Sequence, residues 1–316
     1  MKLSALLALV GACGPLLAQT NTPLSIAVIP KGTTHVFWKS IHAGARAAGE
    51  ELGVNVIWQG PHKEDDRKLQ IELVQNFNSR GVQAIVLAPL DAAALVRPVR
   101  AARKRGITVV IIDSDLNAKE YSSFVATDNY KGGQFAAQRL AEVTGGTGDV
   151  LMLRYAEASA STMQREKGFL DGLAQHAPRM RMVSSDQYGG VTAESAMRVA
   201  QNLLNKYPTL SGIFCPNEST TFGMLRALQT AGRAGKVAFV GFDVSAALLA
   251  ALQAGELHGL IVQNPYQMGY QGVKTAVAAV RGEAVPPRID TGVAVVTADN
   301  LSEPHIQELV QPRYAE

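Results

Sequence analysis

The chain predicts an α/β protein of two lobes, each a doubly wound parallel β-sheet with helices on both faces. Short β-branched runs alternate with longer stretches whose apolar residues recur every three or four positions, the signature of strand–helix–strand units. The alternation restarts after FVATDN, so the pattern occurs twice. A chain of 316 residues suffices for two cores of roughly 120–150 residues each. No long Pro/Ser linker separates the halves, so the lobes are expected to join through short strands rather than a tether.

In the first half SIAVIP, VNVIWQ, AIVLAP and TVVIID read as strands. Between them FWKSIHAGARAAGEEL, RKLQIELVQNFNSRG and AAALVRPVRAARKRG read as amphipathic helices. Right-handed crossovers then make the sheet parallel. The second half runs helix NYKGGQFAAQRLAEV, strand DVLMLRY, helix STMQREKGFLDGLAQH, strand MRMVSS, helix TAESAMRVAQNLLNKY and strand GIFCPN. Helix TTFGMLRALQTAG, strand VAFVGFD, helix AALLAALQAG, strand HGLIVQN and helix PYQMGYQGVKTAVAAVRG follow. The tail VAVVTADNLSEPHIQELV predicts a strand and a short helix capped by Ser302, with Glu303 in its first turn. The halves share a pattern without a clear sequence repeat. Gly145-Gly146-Thr147-Gly148 lies between a helix and a strand, the reverse of the order a dinucleotide loop needs, and reads as a turn.

Five of the apolar runs stop abruptly in acid or amide side chains: VVII before Asp113-Ser114-Asp115, FVAT before Asp128-Asn129, IFCP before Asn217-Glu218, FVGF before Asp243, and LIV before Gln263-Asn264. Ligands of open α/β sheets bind beyond the carboxyl ends of the strands, so these groups should converge on one cleft. Acceptors and amides suit hydroxyl groups. No nucleophile–base pair, metal cluster or phosphate-binding loop accompanies them, and the reading is a binder of a small polyhydroxylated molecule with no catalytic residue, metal or cofactor. A hydrolase working through Asp113 and Asp115 is the enzymatic alternative, poorly supported by that spacing. Asp243 and Asn217 could instead cap the helices that follow them; Asp128 and Asn129 read as a cap and hinge element. Phe37 and Trp38 are adjacent on a helix and point about 100° apart, so one of them can be packing.

Hydrophobic residues make up 47% of the chain and charged residues 18%, an ordinary soluble α/β composition. The formal charge of +3 is too small to argue for nucleic acid or an anionic membrane. Residues 1–18 read as a secretory leader, one lysine followed by a short apolar stretch. Cleavage after Ala18 competes with lipid attachment at Cys13; Leu16 and Leu17, an unusually apolar linker after a lipidated cysteine, favour the first. Either route places the domain outside the cytoplasm, in the periplasm. Cys215 is then the one clearly retained cysteine, so no internal disulfide is expected, and a small buried strand-end residue is the simpler reading than a nucleophile. The leader, and the lack of an N-terminal helix-turn-helix, argue against a cytoplasmic repressor built on the same core.

Six segments taken in order, SIAVIPKGTTHVFWKSIHAGARAAGEELG, FVATDNYKGG, MQREKGF, NESTTFGMLRALQTAG, VGFD and LIVQNPYQMGYQGV, resemble the type I periplasmic sugar-binding proteins, close to the ribose-binding branch. The resemblance covers nearly all of the mature chain. It implies a three-strand hinge, with residues 24–127 plus 265–291 in the N-terminal lobe and 128–264 plus 292–316 in the C-terminal lobe, after a leader ending at residue 18, or at 12 for a lipoprotein. It also implies a monosaccharide, or a related polyol or sugar derivative, trapped between closing lobes and delivered by a monomeric carrier to the membrane permease of an ABC transporter. A sensor kinase or chemoreceptor is the alternative recipient. Matched residue by residue, Phe37 and Trp38 correspond to the aromatic pair after the first strand, Asp113 to the carboxylate after the fourth, and Arg165 to the arginine just upstream of Gly168-Phe169. Tyr188 corresponds to a second-lobe aromatic, and Asn217, Asp243 and Gln263 to the amide, acid and hinge amide around the hydroxyls. His35 and Ala88 stand where ribose binders have asparagine, and Ser114 where they have arginine. Lys31, at the end of the first strand, is expected to supply a replacement cation, which would suit an acidic or modified sugar.

Overall fold

The computed structural model describes residues 23–311; the leader, with the alternatives at Ala18 and Cys13, lies outside them. The first lobe contains strands β1 (Ser25–Ile29), β2 (Asn55–Trp58), β3 (Ala84–Leu87), β4 (Thr108–Ile112) and β5 (Ser123–Ala126), interleaved with helices α1 (Val36–Leu52), α2 (Arg67–Arg80) and α3 (Val96–Lys104). The chain then crosses into α4 (Asn129–Thr144), β6 (Thr147–Met152), α5 (Ala160–His176), β7 (Arg179–Ser184) and α6 (Ala193–Lys206). β8 (Gly212–Phe214), α7 (Glu218–Thr230), β9 (Ala238–Phe242), α8 (Ala246–Gln253) and β10 (Gly259–Gln263) complete the second lobe's parallel set. It returns through α9 (Pro265–Val280) and β11 (Arg288–Asp290), and crosses once more into β12 (Val293–Val296) and α10 (Pro304–Val310).

The two sheets run β11-β5-β4-β3-β1-β2 and β12-β10-β9-β8-β6-β7. Strand for strand the order is the same, so β4 and β9 are equivalent, as are β1 and β6. The sheets part at their last strands: β11 is parallel to β5, whereas β12 is antiparallel to β10. Each sheet is buried on both faces, Ile26, Val28, Val86 and Val110 facing one side of the first sheet and Ala27, Ile85, Val109 and Ile111 the other. Residues buried on both faces explain why the strands read as continuous apolar runs.

The chain passes between the two sheets after β5, after β10 and after β11, and the first and last of these passages are tied together. Thr127 Oγ1 donates to the Gly292 carbonyl at 3.1 Å, and Arg288 donates to the carbonyls of Ala126 and Thr127, both at 2.9 Å. Two sequence expectations shift at the C-terminal end. α10 starts at Pro304 with Glu303 as its N-cap and no side-chain cap, so Ser302 is not the cap; a proline, which has no N–H to satisfy, opens the helix instead. β11 has only three residues and no apolar run, so periodicity could not reveal it.

In each lobe the helix after β1 or β6 packs on the helix that follows a crossing: α1 on α9, and α5 on α4. Backbones meet through glycines. A Cβ on Gly269 would lie 2.0 Å from the Ile41 carbonyl oxygen, and one on Gly168 would lie 2.0 Å from that of Tyr130. Backbone atoms cannot retreat as a side-chain tip can, so Gly168→Ala is expected to destabilise the protein by about 3 kcal/mol and to displace Arg165, one turn away. Urea unfolding measures it; an unchanged midpoint would refute the close packing.

Candidate functional site

The carboxyl edges of both sheets face one cleft. β4 runs into Asp113 and its equivalent β9 into Asp243, and both residues take left-handed backbone angles, φ 61° and 69°. Aspartate tolerates this region better than most side chains. Each amide donates to the neighbouring strand, Asp113 to Val125 O at 3.1 Å and Asp243 to Ile261 O at 2.8 Å. Both aspartates line a small pocket walled by side chains of both lobes. The first lobe contributes Lys31, His35, Phe37, Trp38 and Glu64, the second Tyr155, Arg165, Asn217 and Glu218, and the hinge Gln263.

Lys31 does not supply a free cation. Its Nζ lies 2.7 Å from Asp113 Oδ2 and donates towards Ser114 at 2.8 Å, Ser161 at 3.2 Å and Ser159 at 3.4 Å. An ammonium has three protons, and these acceptors take them all. Ser114 lies behind the cavity wall, fully buried, accepting from Lys31 and from the Ser161 amide. An anionic ligand therefore finds Lys31 already neutralised.

His35 pairs with Glu64, Nδ1 to Oε1 at 2.7 Å. Burial alone would lower the histidine pKa, but the hydrogen bond and charge of Glu64 outweigh it and lift it to about 9. Burial likewise opposes the charge on Glu64, yet His35, Tyr155 and Trp38 together hold its carboxyl down at about 2. Glu64 accepts from Trp38 Nε1 at 2.7 Å and from the Tyr155 hydroxyl at 2.6 Å. Trp38, 2% exposed, belongs to the first lobe's core, while Phe37 meets it edge-on at 4.9 Å and lines the cavity more openly. The imidazolium is left with its Nε2–H as a charged donor.

In the second lobe Arg165 is buried against Phe242, its guanidinium 4.0 Å from the ring centre. Nε donates to Asn129 Oδ1 at 2.8 Å and Nη1 to the Pro216 carbonyl at 2.9 Å, with Asp243 at 3.9 Å. Asn129 is thus the residue that aims Arg165, and Asp128 caps α4 through the Lys131 amide. Burial raises the Asp243 pKa, opposed by Arg165 and Gln263. Gln263 Nε2 donates to Asp243 Oδ1 at 2.6 Å, while its buried Oε1 has no protein partner. Asp243 does not cap the helix that follows it; Ser245 caps α8. Asn217 does, accepting from the Thr220 amide at 3.3 Å, and also lines the cavity.

Tyr188 falls outside the cavity. It is 36% exposed and its hydroxyl accepts from Arg154 at 3.0 Å; Tyr155 is the second-lobe aromatic in the wall. Tyr155 follows β6, so the strand-end rule could have found it. Glu64 sits in a loop among Lys63, Asp65 and Asp66, where one carboxylate looks like the next. Cys215 is fully buried and burial pushes its thiol pKa up, which fits a packing residue. A wider groove opens beside the hinge between Tyr121 and Arg288. Its charges are already matched within the protein, Asp115 with Lys119 and Tyr121, and Arg288 with backbone carbonyls.

Comparison with known proteins agrees with this geometry. The periplasmic binding protein domain matches residues 26–284. The chain is 28% identical over 295 residues to the ribose import binding protein of Escherichia coli, covering 93% of this chain and 98% of that one. It is 31% identical over 293 residues to the D-ribose/D-allose-binding protein of Pseudomonas aeruginosa, covering 89% and 91%. A carbohydrate transporter solute-binding protein from Agrobacterium radiobacter, solved in complex with D-arabinose, superposes with a TM-score of 0.89 at 35% identity, covering 92% of this chain and all of that one.

The His35–Glu64 pair gives stability a pH signature. His35, raised from 6.5 to about 9, contributes fully below pH 6.5 and loses its contribution as pH climbs to about 9. Glu64, lowered from 4.5 to about 2, contributes fully above pH 4.5 and loses it as pH falls towards 2. The difference in unfolding free energy between wild type and Glu64→Gln is therefore expected to be widest between pH 4.5 and 6.5, about 2 kcal/mol or more for lost charge-assisted bonds. In the variant the His35 titration, followed by NMR, should move down from about 9. A His35 titration that stays in place would rule out Glu64 as the cause.

Proposed function

Because this chain belongs to the periplasmic binding protein family and is a solute-binding protein for monosaccharides in an ABC transporter, we propose that its cavity takes one neutral aldose and that lobe closure presents it to the membrane permease. The observation that carries this reading is the pair of equivalent aspartates, Asp113 and Asp243, facing one enclosed cavity together with Arg165 and the unpaired Oε1 of Gln263. Carboxylates and the amide oxygen accept from hydroxyls, while Arg165 and the His35 imidazolium donate to them. Phe37 and Tyr155 offer rings to the C–H faces of a pyranose or furanose.

Charge favours a neutral ligand. Lys31, His35 and Arg165 face Asp113, Glu64 and Asp243 in turn, so a sugar acid would add a negative charge without an unpaired cation to meet it. The relatives' ligands, ribose, allose and arabinose, are neutral as well. Contacts to both lobes in the closed form bias the open–closed equilibrium, because a ligand shifts it only by its differential affinity for the two states.

A thermal-shift and calorimetric panel of D-ribose, D-allose, D-arabinose and their neutral epimers against D-glucuronate and D-galacturonate tests the reading. A bound neutral sugar at 100 times its Kd should add about 2.7 kcal/mol of stability, with no response to either uronate. Asp243→Ala should abolish the shift. A uronate preferred over every neutral sugar, or a shift that survives Asp243→Ala, would place the ligand or its site elsewhere.

A further inference from the structure

Helix α1 begins beside the cavity without a cap of its own. Its N-cap residue, His35, makes no side-chain capping bond, and its first turn contains no acid. By contrast, in α2, α4, α6, α7, α8 and α9 the N-cap side chain, of Asp66, Asp128, Thr192, Asn217, Ser245 and Asn264 respectively, accepts from an amide of the first turn. The missing acceptor comes from the other lobe: Glu218 Oε2 accepts from the Phe37 amide at 3.3 Å. Phe37 is the second residue of α1, where an N-cap side chain normally bonds. Glu218 is the first residue of α7 and its own amide donates to Asp243 Oδ2 at 3.1 Å.

We propose that Glu218 is a cross-lobe latch, capping α1 in trans when the lobes close and linking the ligand-facing Asp243 to the first helix of the opposite lobe. The proposal rests on the closing-lobe reading above and adds a residue that stabilises closure through protein–protein contact. An open cleft separates the carboxylate from the helix, so the cap exists only in the closed state.

The charged groups facing Glu218 are His35 from α1, Asp243 behind it and Glu64 across the cleft. Its pKa is raised to about 7: burial is the largest cause, His35 and the Phe37 amide oppose it, and Asp243 and Glu64 add to it. In an open, hydrated cleft the group returns towards its usual value of 4.5. Closure then takes up a proton at Glu218 between those values, so this contribution favours closure at the acid end and fades as pH rises through about 7.

The test compares wild type, Glu218→Ala and Glu218→Gln in the ligand-free protein, by small-angle scattering and by hydrogen exchange at the Phe37 amide, and then with D-ribose, D-allose and D-arabinose. Glu218→Ala should expand the ligand-free protein, speed Phe37 exchange, and weaken whichever sugar binds about fivefold, chiefly through faster release, as loss of one helix cap implies. Glu218→Gln keeps an acceptor oxygen and carries no charge, so it should match wild-type affinity at pH 5.5 and bind more tightly than wild type at pH 8. It should lack the part of the wild-type affinity gain that appears on going from pH 8 to 5.5. If sugars bind and Glu218→Ala alters neither scattering nor Phe37 exchange, the latch is overturned. If none of the sugars binds but both ligand-free readouts respond, the latch stands and the ligand reading falls. Affinity lost with one sugar and kept with another, with ligand-free readouts unmoved, would make Glu218 a direct ligand contact and overturn the latch.

Discussion

Ionised groups buried in one small cavity tolerate only a closely matched arrangement, and this constraint organises the cleft. Removing a carboxylate or guanidinium from water costs several kcal/mol unless a partner and further hydrogen bonds replace hydration. Lys31 with Asp113, His35 with Glu64, and Arg165 with Asp243 meet that demand. The left-handed turns at Asp113 and Asp243 set where the carboxylates stand, and the partners are fixed around them. Asn129 and the Pro216 carbonyl hold Arg165; Trp38 and Tyr155 hold Glu64. The glycines between α4 and α5 matter for the same reason, since the helix that bears Arg165 can approach only because they have no side chain.

Several of these partners come from the opposite lobe, which couples pairing to closure. Tyr155 reaches Glu64, Ser161 reaches both Lys31 and Ser114, and the Ala92 amide donates to the Ala158 carbonyl at 3.2 Å. Each such bond contributes a net of about 1 kcal/mol, set against the ordering of side chains that were free in the open cleft. The two terms oppose each other, so ligand hydroxyls that bond both lobes add to the side of closure.

Much of the fold could be read directly, because strands buried on both faces give uninterrupted apolar runs and helices between them give a clean period. What escaped was short or irregular: β11, with three residues, and the way α10 begins, opened by a proline rather than capped by Ser302. The site divides in the same way. Asp113, Asn217, Asp243 and Gln263 stand where parallel strands end, a position that sequence marks plainly, and all four line the cavity. Glu64 and Glu218 were not picked out because their importance lies in partners far along the chain, His35 and Phe37, and local sequence records no such pairing. Tyr188 was chosen by correspondence with related proteins, whereas the strand end nearby pointed to Tyr155. Lys31 was correctly placed at the cleft but given an unmet charge, since the serines that surround it arrive from residues 114, 159 and 161.

The first-lobe wall is one connected arrangement. Ser114, too short to carry charge, follows Asp113, and the cation beside them comes from the end of β1: the Lys31 ammonium lies 2.8 Å from Ser114 Oγ and 2.7 Å from Asp113. Ala88 is buried and its carbonyl accepts from Gln70 at 2.8 Å, so that position serves the wall alone. His35 supplies a donor as an imidazolium held by Glu64. The first lobe thus presents a charged donor on one side and an internally neutralised carboxylate on the other. A ligand hydroxyl facing His35 must accept, and one facing Asp113 must donate, a stricter assignment than an asparagine imposes.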